Sequence, residues 1–179
     1  MKPLKIMVLL AFPVFSDSWF PPENKTFYSN DSMYKVFVEP KYREVFESKG
    51  CYATLFKKTG RKFKRLYKII LDNPFSPVDV LVDTSGRMVT LDNWHSMGYG
   101  KNVVVIYDEK GNLGRKYSLE EILSPEELNN VKLSVSSRNW RKGNAIFDNY
   151  LRILVDLRTG VVIKKINLRD FSLLTETEN

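Results

Sequence analysis

Short runs of apolar and β-branched residues, each followed by a turn sequence, recur along most of the chain. Alternation of apolar and polar positions predicts strands, and Asn, Asp, Ser or Gly between two runs predicts an antiparallel hairpin. The predicted hairpins pair residues 26–28 with 33–39, 51–57 with 62–71, 78–82 with 87–92, and 102–107 with 112–117. Further strands are predicted at 145–147, 151–156 and 161–168, and residues 132–140 are predicted to be extended. The chain is therefore expected to be mainly β.

Residues 118–131 carry a helical pattern instead. Ser118 with Glu121, and Ser124 with Glu127, form two capping boxes, in which side chains satisfy the backbone donors at a helix start. Pro125 occupies a first helical position, which suits proline because the N–H it lacks would be unpaired there. The pattern predicts either two short helices or one helix kinked at Pro125.

The succession of strand pairs resembles the four-stranded meanders of propeller blades, and turns of the form Asp-x-x-Gly recur between strands. At about 40 to 45 residues per blade, the chain is too short for a complete ordinary propeller. We expect antiparallel, blade-like meanders that form a compact sheet or sandwich, with one or two short helices near residues 118–130.

The first 18 residues differ from the rest of the chain. Lys2 and Lys5 precede an apolar run at 6–15, and small residues at 16 and 18 fit a cleavage site, which is typical of a signal peptide. A buried N-terminal strand or helix is the alternative interpretation. We expect a signal peptide at 1–18, a single mainly-β domain at 19–171, and a frayed C-terminal tail at 172–179. The protein would then be periplasmic or extracellular.

No later segment is apolar for long enough to cross a bilayer, so the cleaved chain is not expected to span a membrane. The formal net charge is +7. A basic exported protein is expected to meet anionic envelope components, such as acidic polysaccharide or lipid head groups, or another envelope protein, and no nucleic acid partner is expected.

Cys51 is the only cysteine and begins an apolar run, which indicates a buried, inert thiol.

Positive charge is concentrated at residues 57–68. The polyanion-binding candidates there are Lys57, Lys58, Arg61, Lys62, Lys64, Arg65 and Lys68. Strict alternation would place Lys62, Lys64 and Lys68 on one face of a strand. One interpretation is a hairpin that binds polyanions. The other is a solvated edge hairpin, whose lysines discourage pairing with another sheet edge.

Residues 92–100 concentrate functional side chains between two predicted strands. The candidate ligand-binding residues are Asp92, Asn93, Trp94, His95 and Tyr99. Glycines would allow backbone amides to approach a ligand, and the aromatic rings could stack on a sugar or another flat group. The alternative is a long hairpin connection in which Asp92 and Asn93 bond the loop's own amides and Trp94 closes the core.

Catalytic signatures are weak. His95 could act as a general acid or base with Asp92, whereas adjacent His95 and Ser96 point to opposite sides of an extended chain. There is no Gly-x-Ser-x-Gly motif, and one His with a distant Cys does not form a usual zinc site, so neither a metal nor a cofactor is expected. The sequence favours a non-enzymatic exported binding or interaction module of the cell envelope. The alternative is an envelope hydrolase that uses His95 with Asp92.

Four segments resemble a family of exported bacterial proteins of uncharacterised function. They are residues 77–87, 90–100, 103–108 and 136–141, and the run Asp-Asn-Trp-His-Ser-Met-Gly-Tyr-Gly at 92–100 is the distinctive one. The resemblance implies export and β structure. It implies no catalytic residues, because none is established for the family.

Overall fold

The structure is a computed structural model that describes residues 20–42 and 48–177, so the predicted signal peptide lies outside the described residues. Within these ranges the strands are β1 Lys25–Tyr28, β2 Tyr34–Tyr42, β3 Ser48–Thr59, β4 Lys62–Leu71, β5 Pro77–Val82, β6 Met88–Asn93, β7 Val104–Tyr107, β8 Leu113–Tyr117, β9 Lys132–Leu133, β10 Arg138–Asn139, β11 Ile146–Phe147, β12 Tyr150–Leu157, β13 Gly160–Asn167 and β14 Leu173–Thr177. The helices are α1 Leu119–Ile122 and α2 Pro125–Asn129.

Three four-stranded sheets follow one another along the chain. The first contains β1 to β4, the second β5 to β8 and the third β11 to β14, and each keeps its strands in sequence order. All strand pairs are antiparallel, and β9 with β10 forms a small two-stranded ladder. The predicted mainly-β fold of antiparallel meanders with short helices is confirmed.

The second sheet lies between the other two, and its central strands β6 and β7 are buried on both faces. Val105 and Tyr107 of β7 belong to the apolar core shared with the first sheet, whereas Val104 and Ile106 belong to the core shared with the third sheet. Every residue of β6 and β7 is buried. Successive strand residues point to opposite faces, which explains why the sequence of β7 is apolar at every position.

Two separate helices follow the second sheet. The Ser124 hydroxyl accepts a hydrogen bond from the Glu127 N–H at 3.2 Å, and the Glu127 carboxylate accepts one from the Ser124 N–H at 2.7 Å. The capping box therefore starts a new helix at Pro125 instead of kinking an existing one. The buried Lys164 of β13 forms an ion pair with Glu127 at 2.8 Å and attaches α2 to the third sheet.

Two predictions about irregular segments are wrong. The tail predicted to fray from residue 172 instead forms β14, which pairs with β13 and places Leu173 opposite Ile166. The Thr175 hydroxyl also accepts a hydrogen bond from the buried Lys164 ammonium at 2.9 Å, a tertiary contact that local sequence does not reveal. The extended segment predicted at 132–140 turns back on itself as the β9–β10 hairpin.

The Cys51 thiol is fully buried against the second sheet, as expected. Burial raises the pKa of this thiol to about 12, so almost none of it is thiolate near neutral pH. We expect a thiol-reactive disulfide reagent to label the native protein at least about 100-fold more slowly than the denatured protein. Labelling kinetics followed by absorbance, with the same protein in denaturant as the control, would check this. Comparable rates in the two states would contradict it.

Candidate functional site

The loop between β6 and β7 carries the distinctive motif and folds back on itself. The Ser96 N–H donates to the Asn93 carbonyl at 3.1 Å, and the Tyr99 N–H donates to the Ser96 carbonyl at 3.1 Å. Asp92 and His95 adopt φ angles of 60° and 72°, a region that non-glycine residues seldom occupy. The loop is therefore a series of tight turns and not an extended connection.

Asp92 lies at the centre of this arrangement and is fully buried. Its Oδ1 accepts hydrogen bonds from the indole Nε1 of Trp140 at 2.8 Å and from the Gly98 N–H at 2.9 Å. Its Oδ2 accepts a hydrogen bond from Nε of Arg141 at 2.9 Å, and the Arg141 side chain is 9% exposed. The carboxylate thus joins the loop to residues 48 and 49 positions further along the chain.

Burial raises the pKa of the Asp92 carboxyl above its ordinary value, although Arg141 and the Trp140 and Gly98 donors act in the opposite direction. The site is a buried ion pair with directed hydrogen bonds. Such pairs are costly to form but are strongly destabilising to break from one side.

The buried side chain of Asn73 also binds the loop that contains Asp92 and Asn93. The Asn73 amide nitrogen donates to the Asp92 carbonyl and to Oδ1 of Asn93, both at 3.0 Å, and Asn73 Oδ1 accepts a hydrogen bond from the Thr90 hydroxyl at 2.6 Å. Asn93 in turn donates its amide N–H to the Tyr99 carbonyl at 3.2 Å. In the sequence, Asn73 before Pro74 indicates only a turn or linker. The sequence analysis therefore did not predict that Asn73 binds the loop at 92–100.

The aromatic side chains of the loop lie nearer the surface. Trp94 packs against Phe75, with ring centroids 5.8 Å apart, and against the exposed His95, with centroids 5.6 Å apart. Trp94 also lines a cleft of about 420 Å³ together with Phe20 and three prolines, among other residues. The guanidinium of Arg138 lies 4.5 Å from the centroid of the Tyr99 ring.

The five predicted ligand residues therefore do not form one exposed site. Asp92 and Asn93 are buried and bonded within the protein, Trp94 and His95 reach the surface, and Tyr99 is stacked with Arg138. The sequence missed Trp140 and Arg141 as partners of Asp92. Both residues follow a predicted extended segment, and no local pattern in the sequence connects them with residues 92–100.

The contacts of Asp92 do not favour the predicted catalytic pair of His95 with Asp92. Asp92 is buried and its two oxygens accept three hydrogen bonds, whereas His95 is exposed. A general base in a His–carboxylate pair needs the carboxylate to orient the imidazole, and Asp92 is oriented toward Trp140 and Arg141. Among residues 20–42 and 48–177, no group of three or more His, Cys, Asp or Glu is placed to hold a metal ion.

The predicted polyanion-binding residues lie on β3, β4 and the turn between them, and all seven are exposed. The strict alternation expected for β4 is wrong, because a β-bulge occurs there. Leu55 pairs with Tyr67 and Phe56 with Arg65, which leaves Leu66 without a partner. The bulge places Lys68 on the same face as Arg65, away from the core, while Lys64 lies on the opposite face across from Lys57.

This outer face of the first sheet combines lysines with aromatic rings. The Lys35 ammonium lies 5.0 Å from the ring centroid of Phe56 and 4.6 Å from that of Phe63. The Lys68 ammonium lies 5.0 Å from the centroid of Tyr52. We use the name basic surface for the outer face of the first sheet together with the β3–β4 hairpin.

Few carboxylates neutralise the basic surface. Lys68 forms an ion pair with Glu39 at 2.6 Å, and this hydrogen bond lowers the pKa of the Glu39 carboxyl. In the part of the chain that the structure describes, no carboxylate lies within ion-pair distance of Lys35, Lys57, Lys58, Arg61, Lys62, Lys64 or Arg65. By contrast, at least eight of the fourteen Lys and Arg in residues 72–177 have a carboxylate within this distance, namely Arg87, Arg115, Lys116, Lys132, Arg138, Arg141, Arg152 and Lys164.

The net charge of the described residues is confined to one region. The described residues up to Leu71 contain eleven Lys and Arg and three Asp and Glu, a formal charge of +8. Residues 72–177 contain fourteen of each kind and have no net formal charge. The excess positive charge of the described chain therefore lies entirely in the first sheet and the segments beside it.

No protein-family model, curated protein or solved structure matches this chain. Among the described residues, no helix has the length and apolar character needed to cross a membrane.

Proposed function

We propose that this protein is an exported, non-enzymatic binding module of the cell envelope that holds acidic polysaccharide on its basic surface. The observation that carries the proposal is the separation of charge, with a formal charge of +8 up to Leu71 and none over residues 72–177. We interpret the three sheets as blade-like repeats, of which the first is the binding repeat.

Two cations of the basic surface, Lys35 and Lys68, lie over aromatic rings. Aromatic rings beneath Lys35 and Lys68 attract their ammonium groups, which limits the side-chain entropy that binding would remove. Adjacent strands are about 4.8 Å apart, and Lys57 of β3 lies opposite Lys64 of β4, so positive charges on these two strands are closely spaced. A polymer with regularly repeated carboxylates or sulfates is the ligand that such an array suits.

Protection of a sheet edge explains this surface less well than binding does. Lys57 and Lys64 lie directly opposite each other on paired strands, an arrangement of like charges that destabilises a sheet. Edge protection is a function of charged side chains on the edge strand, here β4. The lysines of β2 and β3 lie on inner strands of the sheet, so they do not contribute to edge protection.

The buried Asp92 cluster supports a binding module over the hydrolase alternative. Asp92 and Asn93 hold the loop's own backbone and Trp140 and Arg141, which is the self-bonded arrangement expected of a structural connection. Acidic polysaccharide is favoured over nucleic acid because a protein exported by the signal peptide predicted at 1–18 would meet envelope polysaccharide before nucleic acid.

Retention on immobilised heparin, measured against salt concentration, tests the proposal. We expect a triple variant with Lys62, Lys64 and Arg65 changed to Glu to bind at least about 100-fold more weakly and to elute at lower salt, because charge reversal at three contacts removes counterion release. A triple variant with Lys101, Lys110 and Lys142 changed to Glu has the same change in net charge and lies outside the first sheet. It should elute close to the wild type.

If both triple variants lost the same heparin affinity, net charge alone would explain the loss. That result would contradict binding at the basic surface. Unchanged elution of the Lys62, Lys64, Arg65 variant would contradict it too. Parallel assays with phosphatidylglycerol vesicles and single-stranded DNA should give weaker, more salt-sensitive binding than the polysaccharide. Preference for either of those ligands would replace acidic polysaccharide as the partner.

A further inference from the structure

A cleft of about 420 Å³ lies where the segment before β1, the start of β5 and the loop between β6 and β7 meet. The apolar residues that line it are Phe20, Pro21, Pro22, Pro77, Val78 and Trp94. Phe20 is 85% exposed, the largest fraction among the large apolar side chains that the structure describes. A volume of about 300 to 1,000 Å³ and a mainly apolar lining with a few polar groups are typical of small-molecule sites.

The Trp94 ring is held at this cleft by its neighbours. The Trp94 N–H donates to the Ser76 carbonyl at 2.8 Å, which attaches the loop to the start of β5, and the indole packs against the Phe75 ring. Asp92 and His95, which lie close to Trp94 in the sequence, have positive φ angles. Backbone of this kind persists where surrounding contacts fix it, and the buried hydrogen bonds of Asp92 do so here. The indole is therefore positioned before a ligand binds.

Two charged side chains, Glu23 and Lys25, also line the cleft, and both are exposed. In the ranges 20–42 and 48–177, neither lies within ion-pair distance of an opposite charge. Their formal charges cancel, so the lining as a whole is neutral. A carboxylate accepts hydrogen bonds and an ammonium donates them, so the two groups suit a ligand that can do both, as hydroxyl groups can.

We propose that this cleft binds one neutral sugar ring, with the C–H face of the ring against the Trp94 indole and its hydroxyls bonded to Glu23 and Lys25. A sugar ring has an apolar face and a rim of hydroxyls, which matches an aromatic lining with a donor and an acceptor beside it. The inference rests on the polysaccharide function proposed above. It adds a second subsite, which recognises the sugar ring instead of the charge of the polymer.

Other occupants fit the lining less well. A proline-rich peptide suits an aromatic groove, but proline has no backbone N–H and offers no main-chain donor to the Glu23 carboxylate. An acidic sugar would bring a second carboxylate close to Glu23 in a cleft without net charge, whereas the described residues up to Leu71 carry +8. The acidic groups of the polymer therefore belong on the basic surface, and a neutral ring belongs in the cleft.

Isothermal titration calorimetry of the full chain with cellotriose, chitotriose and mannotriose tests this proposal. Salt at about 1 M, where the Debye length is about 3 Å, removes the contribution of the basic surface. We expect at least one of these trisaccharides to bind with a dissociation constant of about 1 mM or lower. Trp94→Ala should weaken that binding at least about 20-fold, and Trp94→Phe, which keeps a ring to stack on, about fivefold. Tyr150→Ala, an exposed aromatic residue of the third sheet, should leave it unchanged.

Two further variants keep the test decisive if Trp94→Ala disturbs its loop. Glu23→Ala and Lys25→Ala should each weaken trisaccharide binding about fivefold, because each removes a charged hydrogen-bonding partner of a hydroxyl. Both residues lie outside the loop between β6 and β7. Lys142→Ala, at another exposed lysine without a carboxylate in ion-pair distance, is the matched control and should bind as the wild type does.

Absence of binding by all three trisaccharides overturns the proposal, and so does unchanged binding by Trp94→Ala. A loss in Trp94→Ala that neither Glu23→Ala nor Lys25→Ala shares would assign the effect to a disturbed loop and would overturn it as well. Tighter binding of a hexaproline peptide would replace the sugar as the ligand. Heparin retention should be the same for Trp94→Ala and the wild type, so failure of the cleft and failure of the basic surface appear in different assays.

Discussion

Asp92→Ala is expected to lower the free energy of unfolding by about 3 to 5 kcal/mol, the usual cost of removing one partner from a buried ion pair. The substitution leaves the Arg141 guanidinium in a site where its side chain is 9% exposed, and leaves the indole N–H of Trp140 and the Gly98 N–H without their acceptor. Urea denaturation at neutral pH, followed by circular dichroism, measures the change. Glu109→Gln, in an exposed turn, should change stability by less than about 0.5 kcal/mol and serves as the control.

A double-mutant cycle separates the ion pair from the rest of the Asp92 cluster. If Arg141→Met is combined with Asp92→Ala, the double variant should lose less stability than the sum of the two single losses, because no buried charge is left unpaired. We expect a coupling energy of about 2 kcal/mol. Strict additivity, or a loss below about 1 kcal/mol for Asp92→Ala, would contradict the role assigned to Asp92.

Gly98→Ala should have the second largest effect, about 2 to 4 kcal/mol of lost stability. Gly98 has a φ of 71°, and a Cβ atom there would lie 2.7 Å from Cβ of Arg138 and 3.0 Å from its carbonyl oxygen. Left-handed backbone costs an alanine about 1 kcal/mol, and crowding against packed backbone adds the remainder. The N–H that binds Asp92 would be displaced at the same time.

Gly143→Ala provides a matched control for the backbone contribution. Gly143 has a φ of 67°, close to that of Gly98, but a Cβ atom there would meet no atom within 4 Å. We expect it to lose only about 1 kcal/mol, the cost of the backbone conformation alone. Equal losses in the two variants, measured by the same denaturation experiment, would show that the contact between Gly98 and Arg138 is unimportant.

The strands and helices could be predicted because each depends on neighbouring residues. Alternation along residues 151–156 and the continuous apolar run of β7 reflect one-sided and two-sided burial, and the capping box of Ser124 with Glu127 lies within four residues. The frayed tail was predicted wrongly because β14 depends on a register with β13 and on Lys164, neither of which is visible locally.

The candidate site was predicted only in part, for the same reason. The motif at 92–100 is conspicuous in the sequence. Its Asp92, however, forms hydrogen bonds with Trp140, Arg141 and Asn73, which are distant along the chain. A buried acid and an exposed ligand-binding acid look alike until the contacts around them are known. The hydrogen bonds that Asp92 accepts from Trp140 and Arg141 connect two segments that are 48 and 49 residues apart.

The sequence by itself indicated that this chain forms antiparallel hairpins, that Cys51 is buried, and that positive charge is concentrated at residues 57–68. These properties follow from the alternation of apolar and polar residues, from local composition and from the residue types in turns. Each of these patterns extends over only a few neighbouring residues. Only the tertiary structure decided that the second sheet is enclosed, that Asp92 faces inward, and that the bulge at Leu66 turns Lys68 toward the same face as Arg65. Stacking of sheets and register between strands bring together residues far apart in the chain, and local sequence does not specify those contacts.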